Sequence, residues 1–126
     1  MFLRRPGGQR QFSAQLSGQV AQREPLREVQ RLIAEHPDAD LSVAALAAHA
    51  NLSPRHFTRA FAAETGLPPG RYVDRVRLET ARRLLEDTGD GLVAVAGTSG
   101  YGTPEAMRRC FVQALGVSPS EYRQRF

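Results

Sequence analysis

The sequence predicts an all-α fold in which one small helical unit is used twice. Apolar residues recur at spacings of three and four along most of the chain, strand-like alternation is absent, and Val/Ile-rich runs are short. Ser-Pro, Thr-Pro and Gly divide the chain into helix-length pieces. The chain also nearly repeats itself fifty residues on. Ser53-Pro54-Arg55-His56-Phe57-Thr58-Arg59-Ala60-Phe61, then Gly66, Pro69, Tyr72 and Arg75, is echoed by Thr103-Pro104-Glu105-Ala106-Met107-Arg108-Arg109-Cys110-Phe111, then Gly116, Pro119, Tyr122 and Arg125. Val43-Ala44 matches Val93-Ala94 in the same register. Similarity at a fixed period marks one structural unit repeated.

Residues 1–22 read as a tail or interdomain linker, because Arg4-Arg5-Pro6-Gly7-Gly8 and the Gln, Ser and Gly residues after it show breakers and no sustained period. The first helix is expected to start at Glu24-Pro25, proline being tolerated in a first turn. Leu26, Val29, Leu32 and Ile33 give it one apolar face, and Pro37 ends it. Ser42 suits the N-cap of a short helix bearing Val43, Leu46 and Ala47, and Ala50-Asn51-Leu52 makes a turn. Ser53-Pro54 opens the next helix, with Phe57, Ala60 and Phe61 on its inner side and Gly66 closing it. A long helix follows from about Pro69 to Asp87, ended by Gly89-Asp90-Gly91. The second copy comprises a short helix near Leu92 to Thr98, a turn through Gly100-Tyr101-Gly102, a helix opened by Thr103-Pro104 and closed by Gly116, and a last helix opened by Ser118-Pro119. The organisation read from this is a tail over 1–22 and a folded domain over 23–126. Within the domain, the first unit spans about 24–67, a linker helix about 68–88, and the second unit about 89–126.

Composition bounds the function. The 126 residues are 41% hydrophobic, enough for a packed body, and no apolar run has the length of a membrane span. Met1-Phe2-Leu3-Arg4-Arg5-Pro6 lacks a signal-peptide core, and Cys110 is the single cysteine, so a cytoplasmic, reducing location is expected. The formal charge is +4 and every basic residue is arginine. A GC-rich coding sequence alone produces that bias, but the guanidinium fork still suits phosphates and guanine edges. No nucleophile–base–acid set is apparent, so no enzyme activity is expected. His36, His49 and His56 are too scattered to hold a metal with one cysteine, and Gly97, Gly100 and Gly102 do not match a nucleotide fingerprint. No cofactor is expected either. Cys110 replaces Ala60 of the first copy and reads as a packing residue.

Each copy has the form helix, tight turn, helix, with a second helix of two faces. Arg55, Thr58 and Arg59 lie away from the inner face of the first copy, as do Glu105, Arg108 and Arg109 of the second. A helix that packs on one side and presents hydrogen-bonding side chains on the other suits the DNA major groove. Equivalent outer positions with divergent identities suit two units that read different bases. His56 has a candidate role as a phosphate contact.

Leu52-Ser-Pro-Arg-His-Phe-Thr-Arg-Ala-Phe61, and Phe111 through Gly116-Val-Ser-Pro-Ser-Glu-Tyr-Arg123, resemble the DNA-binding domain of AraC/XylS-type transcription regulators. The resemblance runs from about Leu26 to Phe126. It implies seven helices in two helix-turn-helix subdomains joined by a long helix, with two recognition helices entering adjacent major-groove segments of double-stranded DNA. It further implies that Arg55, Thr58 and Arg59 contact bases with His56 nearer the backbone, and that Glu105, Arg108 and Arg109 hold the equivalent positions. The segment from Phe2 to Ser13 looks like the junction in regulators that carry a PfpI-type amidotransferase-like sensor domain ahead of this module, so the resemblance implies that these residues are the DNA-binding part of a longer regulator with an N-terminal sensor domain. The second unit departs from the family pattern. Gly97-Thr98-Ser99-Gly100-Tyr101 stands where relatives have a small and polar stretch ending Cys-Gly-Phe, and Glu105 points a carboxylate toward phosphates. The competing reading is therefore a helical interaction module whose first unit binds DNA while the second contacts RNA polymerase or a sensor domain.

Overall fold

Seven helices and no strand form among the residues described by the computed structural model, 13–126, with side chains from Arg23 onward. They are α1 (Ser13–Glu35), α2 (Val43–His49), α3 (Pro54–Thr65), α4 (Pro69–Asp87), α5 (Leu92–Ser99), α6 (Pro104–Leu115) and α7 (Pro119–Arg125). The all-α expectation and the order of elements agree with this.

The start of α1 differs from the expectation. Helix begins at Ser13, so Pro25 lies inside a 23-residue helix instead of in its first turn. The expected tail falls partly on residues 1–12, which lie outside the described residues. The physical reason is where the breakers sit. Pro6, Gly7 and Gly8 precede the helix, whereas the stretch from Ser13 to Glu24 is mostly Ala, Gln, Leu, Val and Arg, with one glycine. Pro25 removes one N–H, and buried Leu26, Val29 and Ile33 hold the following turns against the body.

Capping chemistry sets the other boundaries. Ser42, Ser53 and Thr103 each accept a hydrogen bond from the backbone N–H three residues on, at 3.2, 3.1 and 3.2 Å. Ser118 and Glu121 form a reciprocal capping box. α3 and α6 end in left-handed glycines, Gly66 at φ +85° and Gly116 at φ +77°. The weakest element is α5. Its N-cap, Gly91, offers no side chain, and Gly97 lies in its interior. Its place comes from burial of Val95, Ala96 and Ser99, with the Ser99 hydroxyl donating to the Val95 carbonyl at 2.7 Å.

Among the described residues there are two hydrophobic cores, and one helix runs through both. The first gathers Leu26, Val29 and Ile33 of α1, Leu46 and Ala47 of α2, Phe57 and Phe61 of α3, and Val73 of α4, with Val76 packed against it. The second gathers Ala81 and Leu85 of α4, Val95 and Ala96 of α5, Met107 and Phe111 of α6, and Tyr122 of α7, with Leu78 and Tyr101 packed against it. Apart from α4, helices of one unit pack extensively only on helices of the same unit. α7 is fastened to the far end of α4. Arg123 donates to the carbonyls of Leu85, Thr88 and Asp90 at 3.2, 3.2 and 2.6 Å, satisfying the end of that helix. The Tyr122 hydroxyl donates to Glu86 and accepts from Arg82 at 3.0 Å.

Candidate nucleic-acid interface

The first candidate surface is the outer face of α3. Pro54 at the helix start needs no N–H partner, and the Ser53 cap ties down the first turn. Phe57 and Phe61 are fully buried, their ring centroids 5.3 Å apart, and Tyr72 meets Phe61 edge-on at 5.1 Å. Those anchors fix the rotation of the helix. Arg55, His56 and Arg59 consequently face solvent, and Thr58 is half-buried. Arg55 and Arg59 lie one turn apart and enter no ion pair among the described residues. Two unpaired guanidinium groups on one helix face are available to bind acceptors.

α6 has the same construction. Thr103 caps it, Pro104 starts it, and Met107 and Phe111 are fully buried. Phe111 meets Tyr122 edge-on at 5.8 Å. Glu105, Arg108 and Arg109 are all exposed. Their electrostatics differ from α3. Arg108 donates to Glu105 at 2.9 Å through one terminal nitrogen and at 3.5 Å through Nε. That pairing holds the Glu105 carboxyl below the usual carboxylate range and raises the Arg108 guanidinium. Arg109 is in no such pair. The seven sequence-predicted residues thus fall on equivalent faces of two equivalent helices, but α3 presents two unpaired arginines and α6 one arginine beside a neutralised pair.

Cys110 is half-buried, and burial with nearby Asp74 pushes its thiol up, away from the thiolate form. Ala60, its counterpart in the first unit, packs against the first core, whereas Cys110 lines a cavity between α4 and α6 with Asp74, Leu78 and Tyr101. No group of three or more His, Cys, Asp or Glu suited to a metal occurs among the described residues, and no described helix is long and apolar enough to cross a membrane.

Sequence reasoning missed Arg77. It lies on α4 between Val76 of the first core and Leu78 of the second, and donates to the carbonyls of Pro37 at 2.9 Å and Ala39 at 3.3 Å. The available signal was an arginine on the buried stripe of the linker helix, spaced by four from Val73 and Ala81.

Comparison with known proteins places this geometry. A family model described as a helix-turn-helix domain matches residues 46–125. The HTH-type transcriptional regulator Rv1931c of Mycobacterium tuberculosis is 56% identical over 64% of this chain and 31% of its own length. The MmsAB operon regulatory protein of Pseudomonas aeruginosa is 36% identical over 72% of this chain and 30% of its own. The chain therefore spans about a third of the length of these curated relatives. Among solved structures, the DNA-binding domain of AdpA, a global transcriptional factor crystallised with a target DNA, superposes with a TM-score of 0.76 at 39% identity, covering 80% of this chain and 91% of that one. The C-terminal domain of AraT, a response regulator from Geobacillus stearothermophilus, gives a TM-score of 0.75 at 29% identity over 81% and 85% of the two chains. With its paired units, seven helices and a family match over most of its length, the chain belongs to the AraC-type helix-turn-helix family of transcription regulators.

Proposed function

We propose that this domain binds double-stranded DNA sequence-specifically to control transcription, with α3 and α6 entering adjacent major-groove segments. The observation that supports this most is the matched placement of outward arginines on two capped helices, each oriented by its own aromatic core and both mounted on α4. At 19 residues α4 is about 28 Å long, close to the spacing of about 34 Å between successive major-groove faces on one side of B-DNA.

Arg55 and Arg59 supply forked donors suited to guanine edges, Thr58 packs and hydrogen-bonds beside them, and His56 approaches the backbone. Arg109 is the matching anchor of the second unit. Glu105 accepts from a cytosine amino group or stays with Arg108, so the second unit binds more weakly. The domain acts in the cytoplasm as part of a regulator that includes a sensor domain, and it performs no catalysis.

Exposed apolar Val93 and Val112 on the second unit favour a second reading, in which that unit contacts RNA polymerase or the sensor domain. Binding of a defined duplex measured against salt separates the two. Two units on DNA give a steep fall in affinity with salt, and footprint protection over both halves of the site. Protection of one half only would favour the second reading. In the same assay Arg59→Ala is expected to lose about 1–3 kcal/mol of specific binding and relax preference at one base position.

A further inference from the structure

We propose that Arg77, the Pro37–Ala39 loop and Gly100 form a clasp that fixes the second recognition helix relative to the first, making Arg77 and Gly100 positioning residues for two-part DNA recognition. The inference rests on the two-groove reading above. Three observations meet at one point. Arg77 occupies the seam of α4, between the residues that pack into the first core and those that pack into the second. From there its guanidinium reaches back into the first unit, to the carbonyls of Pro37 and Ala39 in the α1–α2 loop. Pro37 is buried.

Gly100 supplies the third contact, from the second unit. It ends α5 in the left-handed region at φ +98°, in the turn leading to α6. A Cβ added there would run into the Pro37 carbonyl oxygen and lie 2.5 Å from Arg77 Nε and 2.8 Å from the Pro37 carbonyl carbon. The α5–α6 turn is therefore in close contact with the α1–α2 loop, through a space that admits no side chain. The neighbouring Tyr101 packs into the second core, so the turn cannot move away independently of α6. α4 is the one described helix that packs extensively in both units, so without this contact a bend in it would more readily displace α6 from its groove. A backbone carbonyl cannot swing aside as a side-chain tip can, so the contact is stiff.

Gly102 provides an internal control. It lies in the same turn with φ +89°, and a Cβ there meets nothing within 4 Å. Gly100→Ala and Gly102→Ala impose the same kind of backbone strain, but the first alone pushes on the clasp. Arg77→Met keeps the apolar stem, removes both hydrogen bonds and changes no residue of either helix-turn-helix.

The test uses a duplex selected from random DNA by the wild-type chain, the same duplex with two base pairs inserted between its halves, and its first half alone. Wild-type affinity is expected to fall at least about tenfold on insertion, because the second groove rotates out of reach. Arg77→Met and Gly100→Ala are expected to bind the original duplex about tenfold more weakly, to lose most of the spacing discrimination, and to bind the first half within about twofold of wild type. Gly102→Ala should keep the wild-type spacing preference. Wild-type affinity and spacing preference in Arg77→Met would overturn the clasp, as would equal losses of spacing preference in Gly100→Ala and Gly102→Ala. Wild-type binding indifferent to spacing would instead sink the two-groove reading. The relative orientation of the units in the free protein, from residual dipolar couplings, then decides the clasp separately: a change in Arg77→Met supports it and no change overturns it.

Discussion

Glu105 and Arg108 show how a single pair changes what a helix face offers. Read singly, they are two polar positions equivalent to Arg55 and Thr58. In the fold they bind each other at 2.9 Å, so the outer face of α6 presents one unpaired positive charge, on Arg109, where the corresponding face of α3 presents two, on Arg55 and Arg59. Glu105→Gln is expected to release Arg108 and strengthen binding to random-sequence DNA a few-fold, with a steeper salt dependence, read by fluorescence anisotropy. The pair also titrates in a defined direction. The folded carboxyl lies below its unfolded value, so its contribution is in place above the ordinary carboxylate range and is lost as pH falls through the lowered value. In Arg108→Ala the Glu105 carboxyl should titrate higher, which NMR of its side-chain carbon reads directly. The spacing of three was visible in the sequence, whereas the rotamers that close the pair instead of turning outward were not.

Among the elements, most boundaries from Ser42 to Arg125 were legible because they rest on local chemistry. A capping oxygen followed by proline, or a glycine after the last apolar residue, acts within one turn of chain. α1 shows the limit of that logic: Pro25 marks a helix start by local preference, yet the helix runs through it. α5 shows the other limit, since its sequence is poor helix-forming material and only burial in the second core explains its order. Gly97 lies on its exposed side, and an added Cβ meets nothing within 4 Å. Gly97→Ala is therefore expected to stabilise the chain by about 0.5–1 kcal/mol, raising the thermal midpoint by a few degrees. At α7, Tyr122→Phe removes the link to Glu86 and Arg82 while keeping the ring against Phe111. It should cost about 0.5–1.5 kcal/mol in denaturant unfolding.

For the whole molecule, the repeat foretold two similar units and a helix long enough to separate them. It did not foretell how they are held. Arg77 joins residues distant in sequence, and Pro37 and Gly100 sit in loops that are not equivalent under the repeat, so no periodicity announces their contact. Gly100 is explained by close approach of backbone, so it reflects position in the molecule more than decay of the second copy, whereas Gly102 answers only to its left-handed φ of +89°. In the proposed function α3 and α6 read separate groove segments from one rigid frame. Selection from random DNA by the wild type, Arg59→Ala and Arg109→Ala tests it most directly. One extended motif with two differing halves is expected, with each substitution blurring a different half, about one helical turn of 10–10.5 base pairs apart. A motif of one half only, or two substitutions that blur the same base pair, would contradict it.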